Sequence, residues 1–215
     1  MANLEEKKMI KTKFIELSLF LCNGLVSVPR KDILILIEKY NIKMRSEHID
    51  FSMKFGGGNP LFIKEIMYGD FSLNQISSFY EELFKYPSDT PDEGLTFFGG
   101  TYNGITYGID YLTGEIFIFD GGERYENVFG SISDFIFFNA FSSISNTLTA
   151  TTNSFDTIIE LNDYIVNNKI INLVDINVRG ISYYFNETSF FLSDAERKII
   201  IRYDGGILNK VLKSL

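Results

Sequence analysis

GITYGIDYLTGEIFIFD, residues 104–120, is the stretch whose reading decides the fold. Ile105, Tyr107, Ile109 and Tyr111 alternate with Thr106, Gly108 and Asp110, and only an extended strand turns that alternation into one apolar face. Thr113-Gly114 is a turn signal, and Glu115–Asp120 returns as a second apolar strand ended by Gly121-Gly122. The segment reads as a β-hairpin with one face towards a core. Upstream, IEKYNIKMRSEHIDFSMKFGGGNPLF, residues 37–62, reads as a helix, a break, a second helix and a glycine stop.

Working outward, helical spacing extends over residues 4–22 and over 30–41, where Ile33, Leu34, Ile37 and Tyr40 share a face. Ser46 fits an N-cap with Glu47 in the first turn. Leu61–Tyr68 reads as a strand. Ser72 followed three residues later by Gln75 is a capping-box pattern, and it opens a helix to about Lys85 carrying Ile76, Phe79, Tyr80 and Leu83. After a polar loop at Tyr86–Gly94 and the hairpin come a short strand at Arg124–Val128 and a helix at Ser131–Ser145, with Ile132, Phe135, Ile136 and Ala140 inward. Thr- and Asn-rich Asn146–Asn153 reads as an internal boundary. Beyond it the pattern gives a helix near 154–168, strands near 171–178, 180–185, 188–192 and 198–203, and a short closing helix. Asp204-Gly205-Gly206 echoes Asp120-Gly121-Gly122, and Gly180–Tyr183 echoes Gly104–Tyr107; glycine turns after strands are common enough for chance to explain both.

The expected architecture is α+β: N-terminal helices packed on a mainly antiparallel sheet. Residues 1–146 form the main domain, and 147–215 an α/β extension packed on the same sheet. With 215 residues the chain can bury roughly 70% of its unfolded surface without disulfide or metal. The 21 Phe and 12 Tyr favour sheet. The single cysteine, Cys22, sits in an apolar run and reads as a buried, inert thiol. The charged start lacks the pattern of a signal peptide, and no apolar run approaches the roughly 20 residues of a membrane span, so a cytoplasmic location is expected. For the same reason the sequon at Asn186-Glu187-Thr188 carries no weight. A net charge of −8 argues against direct nucleic-acid binding and suits a basic protein partner.

Reactive constellations are sparse. Gly56-Gly57-Gly58 is followed by Asn59-Pro60 and a strand, so it has no helix N-terminus to offer a phosphate. His48, the one histidine, has no second ligand nearby for zinc and reads as a solvated or capping residue. Asp110, Glu115 and Asp120 could serve a carboxylate-dependent hydrolase, but a half-buried hairpin naturally carries charge on its outer face. No catalytic residue, cofactor or metal site is assigned. The candidate partner-binding residues are the acidic Asp89, Asp92, Glu93, Glu123 and Glu126, with the aromatic Tyr102, Tyr111 and Tyr125.

The helix at Ile37–Ile42, the short helix at Arg45–Phe55, the Gly56-Gly57 pair, the hairpin Gly108-Ile109-Asp110-Tyr111-Leu112-Thr113-Gly114-Glu115 and the Phe-rich helix at Ser131–Phe141 resemble the SUKH superfamily. That family includes yeast cell-wall-assembly regulators and bacterial toxin-immunity proteins. The likeness spans about residues 30–145. It implies a non-enzymatic module that binds another protein. The typical partner is a cognate toxin, often a nuclease, neutralised in the cytoplasm. A regulatory scaffold or adaptor is the alternative the family offers.

Overall fold

The computed structural model describes residues 9, 12, 13, 16, 26–58, 69–87, 90–102, 104–120, 123–168, 170–174, 181–186 and 189–205. The chain divides into Leu19–Ile132 and a second unit made of Ser133–Leu215 with Met1–Ser18. The architecture is α+β, with one antiparallel sheet in each unit. Of the expected helix over 4–22, the described residues 9, 12, 13 and 16 are helical. Cys22, the expected strand at 61–68 and the closing helix lie outside the described residues.

In the first unit, α1 (Arg30–Tyr40) starts directly after Pro29 and buries Ile33 and Leu36. It stops at Asn41, whose left-handed conformation (φ 51°) returns its amide to the carbonyls of Glu38 and Ile37. α2 (Ser46–Phe55) begins one residue earlier than the cap reading requires. Arg45 holds the cap position, and Ser46 makes no cap hydrogen bond. β1 (Gly69–Asp70) precedes α3 (Leu73–Leu83), where the capping box forms by half. Ser72 Oγ accepts from the Gln75 amide, but the Ser72 amide donates to Asp70 Oδ1 rather than to Gln75.

The sheet follows as a meander, β1-β2-β3-β4-β5, with β2 Leu95–Thr101, β3 Thr106–Asp110, β4 Ile116–Asp120 and β5 Glu123–Phe129. Successive strand residues face opposite ways, so the buried pair Phe97-Phe98 needs a cover on each side. Phe97 stacks on Phe79 of α3 at 4.0 Å, within a core that includes Ile33, Leu36, Ile76 and Leu95. Phe98 meets His48 and Phe51 of α2 at 5.3 and 4.9 Å, and Phe71 at 5.1 Å. This two-sided cover corrects the simple alternation. Tyr107 and Ile109 are buried as expected, but so are Gly108 and Asp110, while Ile105 and Tyr111 are exposed.

The triple glycine is a packing node. The Gly57 amide donates to Val26 O at 3.0 Å, and a Cβ there would strike the Val26 backbone.

The second unit draws its core from α4 (Ile132–Ser145) and α5 (Ile158–Asn167). Its strands are β6 Thr149–Ser154, β7 Ile171–Val174, β8 Ile181–Phe185, β9 Phe190–Asp194 and β10 Ile199–Asp204, in the order β6-β10-β9-β8-β7. Here too a Phe pair is divided. Phe190 meets Phe137 and Phe141 of α4, while Phe191 packs with Leu161 of α5, Ile170 and Ile200. The C-terminal strands therefore form a sheet of their own instead of adding to the first, and the Asn146–Asn153 stretch is largely strand β6. The units part at Ile132, so from Ser133 onward α4, read above as the end of the main domain, belongs to the second unit.

The two hairpins β3–β4 and β9–β10 have one design. Ile109 pairs with Ile116 and Gly108 with Phe117; Ser193 pairs with Ile200 and Leu192 with Ile201 in the same register. Asp110 Oδ1 accepts the Thr113 amide, and Asp194 Oδ1 accepts the Arg197 amide. Gly114 (φ 82°) and Lys198 (φ 53°) occupy the same left-handed turn position. Asp120 and Asp204 end equivalent strands, so that echo has a structural counterpart. The second does not, because Thr106-Tyr107 lie in β3 and Ser182-Tyr183 in β8. At Gly114 a Cβ would also sit 3.1 Å from Arg45 Nε, whose guanidinium donates to the Tyr111 and Leu112 carbonyls at 2.8 Å. Gly114→Ala is expected to cost about 1–2 kcal/mol, read as a lower urea midpoint at unchanged slope.

Candidate protein-docking groove

The first unit carries a groove of about 540 Å³. Its walls come from the C-terminal ends of α1 and α3, the Asn41–Lys43 connector and the segment that leads into β2. Tyr40, Ile42, Tyr80, Leu83, Phe84 and Leu95 supply apolar lining, and Asp92, Glu93 and Lys43 supply charge. Each wall is held by identifiable contacts. Tyr40 stacks on Tyr80 at 5.7 Å and donates from its hydroxyl to Glu81 Oε1 at 2.8 Å, tying α1 to α3. The Tyr80 hydroxyl accepts the Phe97 amide at 3.1 Å, and burial pushes its pKa up to about 12. Thr96 Oγ1 donates to the Lys43 carbonyl, tying β2 to the connector.

Phe84 is the residue the sequence did not flag. The helix ends at Leu83, so Phe84, four residues after Tyr80, continues the same stripe past the last turn and stands 76% exposed. It leans on Tyr40 at 6.3 Å. The available signal was a large aromatic side chain next to a Tyr-Pro stop, where little chain remains to cover it.

Of the expected partner-binding residues, Asp92 and Glu93 line this groove. Arg124 ties β5 to its rim. The Arg124 amide donates to Asp92 Oδ2 at 3.2 Å, and its guanidinium lies 4.0 Å from Asp92 and 2.5 Å from Asp110 Oδ2. Asp92 is thus partly neutralised, whereas exposed Glu93 has no ion-pair partner among the described residues. Glu126 is elsewhere. It pairs with Ile118 while Arg124 pairs with Phe119, and adjacent residues of β4 face opposite sides of the sheet. The acidic residues therefore fall on two faces and do not form one patch. Glu123 opposes Asp120 at the open end of β5, and Tyr125 beside it is 82% exposed. Tyr111 is anchored next to the groove by its amide, which donates to Gly94 O at 2.7 Å, and Tyr102 lies exposed beyond the far end of β2. Asp89 is outside the described residues.

Two side chains read as solvated are interior. His48 is fully buried against Phe98, and neither ring nitrogen has a hydrogen-bond partner among the described residues. Burial lowers its pKa to about 3. A helical residue in the first turn can point inward when the helix lies on a sheet, and the 3.6-residue period puts His48 on the stripe of Phe51, Ser52 and Phe55. Asp110 is buried too. Burial alone would raise its pKa, but the amides of Thr113 and Leu112 and the Arg124 guanidinium outweigh that and hold it below 3.8. Its partners make it the pin of the hairpin turn. Asp110 and Glu115 are neighbours across the turn, and Asp120 sits at the other end of β4, about 16 Å away at 3.3 Å per residue. The three carboxylates do not converge.

Among the described residues no group of three or more His, Cys, Asp or Glu side chains is placed to hold a metal ion, and no helix is long and apolar enough to cross a membrane. Comparison with protein-family models, curated proteins and solved structures gave no match.

Proposed function

We propose that the chain is a cytoplasmic immunity protein of the SUKH type, which binds a basic protein toxin in the groove between α1, α3 and the start of β2 and so neutralises it. The observation that carries this reading is the groove itself. It combines an apolar aromatic floor, an exposed Phe84 at its mouth and an exposed carboxylate, Glu93, with no ion-pair partner among the described residues. Protein-binding hot spots have that composition: a large aromatic anchor in a pocket, with charge at the edge where it steers the approach of the partner. The resemblance of the helix–glycine–hairpin order to SUKH proteins supports the same reading, as does the net charge of −8.

The test is capture of the product of the adjacent gene by the purified chain, together with protection of cells that express that product. Binding should weaken as salt rises, because charge interactions across an exposed rim are screened beyond roughly 8 Å at physiological ionic strength. Phe84→Ala should weaken binding about tenfold or more without changing the melting temperature, since the side chain is mostly exposed. Glu93→Lys should slow association and flatten the salt dependence. Several weak partners and no protection against a toxin would assign the groove to an adaptor instead. Full binding by the Phe84→Ala, Glu93→Lys double variant would remove the groove from the account.

A further inference from the structure

Among the described residues the two sheets leave four edge strands, β1, β5, β6 and β7, and β5 and β7 are blunted. β5 carries Glu123, Arg124 and Glu126, and its register with β4 shifts twice. β7 has a register shift against β8. Short length, charge and bulges are the ordinary means of keeping an edge from pairing with another chain.

β6 has none of these protections. Its six residues, Thr149-Ala150-Thr151-Thr152-Asn153-Ser154, pair with β10 in unbroken register from Ile199↔Ser154 to Asp204↔Thr149. They include no charge, no proline and no glycine, and five of the six are exposed. Among the described residues their one side-chain hydrogen bond links Asn153 Nδ2 to Tyr164 Oη at 3.4 Å. Every other residue of such a strand turns its N–H and C=O away from β10, so the outer side of β6 is a row of backbone donors and acceptors with no strand paired to it among the described residues.

We infer that β6 is a self-association edge, on which a second copy of this chain adds its own β6 antiparallel to extend the sheet across a two-fold axis. Three observations favour a copy over a foreign partner. The strand has nothing to attract the basic ligand that suits the groove, because no carboxylate lies on it. In a chain of net charge −8, an uncharged strand is where two copies approach with least local repulsion. Antiparallel pairing about a two-fold axis perpendicular to the sheet sets a residue opposite itself. Centred on Thr152, it places Thr opposite Thr and Thr151 opposite Asn153, which are β-branched or hydrogen-bonding cross-strand pairs.

Sedimentation of the full chain over micromolar to near-millimolar concentration tests this. A dimer with the mass of two chains is expected, and it should strengthen as salt screens the repulsion between two acidic chains, opposite in sign to the groove interaction. Thr152→Lys and Thr152→Glu should each remain folded by circular dichroism and each lose the dimer, since like charges then meet at the axis. Mixing the two variants should restore it. A wild-type chain that stays monomeric throughout would overturn the inference, as would a Thr152→Lys chain that dimerises with undiminished affinity. If neither variant folds, protection of β6 amides from hydrogen exchange in wild type decides: protection that rises with concentration supports the edge, and protection that does not removes it.

Discussion

His48→Leu is expected to abolish most of the loss of stability that the parent chain shows between pH 6.5 and pH 3, and to leave stability at pH 7 within about 1 kcal/mol of the parent or above it. The folded chain holds His48 neutral, with a pKa lowered to about 3 by burial, whereas an unfolded histidine titrates near its ordinary 6.5. Below pH 6.5 the unfolded state therefore binds a proton that the folded state refuses. Stability contributed by the neutral ring is complete above pH 6.5, declines as pH falls and is exhausted near pH 3. A full shift of this size corresponds to about 5 kcal/mol across the window. At neutral pH the substitution removes two buried nitrogens that have no hydrogen-bond partner among the described residues, which offsets the imperfect fit of a leucine against Phe98. The measurement is a series of urea midpoints for both chains from pH 7 to pH 3.5. Parallel curves would show that His48 is hydrated or paired in solution.

Asp110→Ala is the second large effect, a loss of about 3 kcal/mol at pH 7. One carboxylate accepts the Leu112 and Thr113 amides at 2.8 and 2.9 Å and pairs with Arg124 at 2.5 Å. Truncation leaves two turn amides and a guanidinium without their acceptor. Asp110→Asn keeps an acceptor oxygen for the amides but loses the ion pair, so it should cost roughly half as much. The pH dependence differs from that of His48. The Asp110 pKa is lowered on folding, so its contribution is present above pH 3.8 and fades as pH drops through the lower folded value. The gap between parent and Asp110→Ala should therefore be constant from pH 7 to pH 5 and narrow only below 3.8. A double-mutant cycle with Arg124→Met isolates the pair, with a coupling of about 1–2 kcal/mol expected. No coupling would reduce Arg124 to a surface residue, consistent with its being a third exposed.

Much of the fold was legible because its signals are local. The helices at Arg30–Tyr40, Ser46–Phe55 and Leu73–Leu83 follow from apolar spacing, with the glycine stop at Gly56 ending the second and the Ser72 cap opening the third. The hairpin around Thr113-Gly114 follows from alternation and a glycine at a left-handed position. Of the candidate site, Asp92 and Glu93 were legible as acidic loop residues, and the groove they border was not. Its floor joins Tyr40, Tyr80 and Leu95, which lie far apart in the chain and share no sequence pattern.

The amino-acid order by itself determined the helices at 30–40, 46–55 and 73–83, the β3–β4 hairpin and the α+β class, but not the strands β2 and β6. Those choices depend on the side-chain period within a dozen residues, a distance over which the chain needs no other part of itself. Tertiary structure alone decided that the strands divide into two sheets and that Phe97-Phe98 and Phe190-Phe191 are each covered on both faces. It also decided that His48 and Asp110 are interior and that Phe84 and the β6 edge are left open. The reason is that burial and strand pairing are properties of whatever packs against a residue. A strand's own period shows that it needs a neighbour without showing which neighbour it will find.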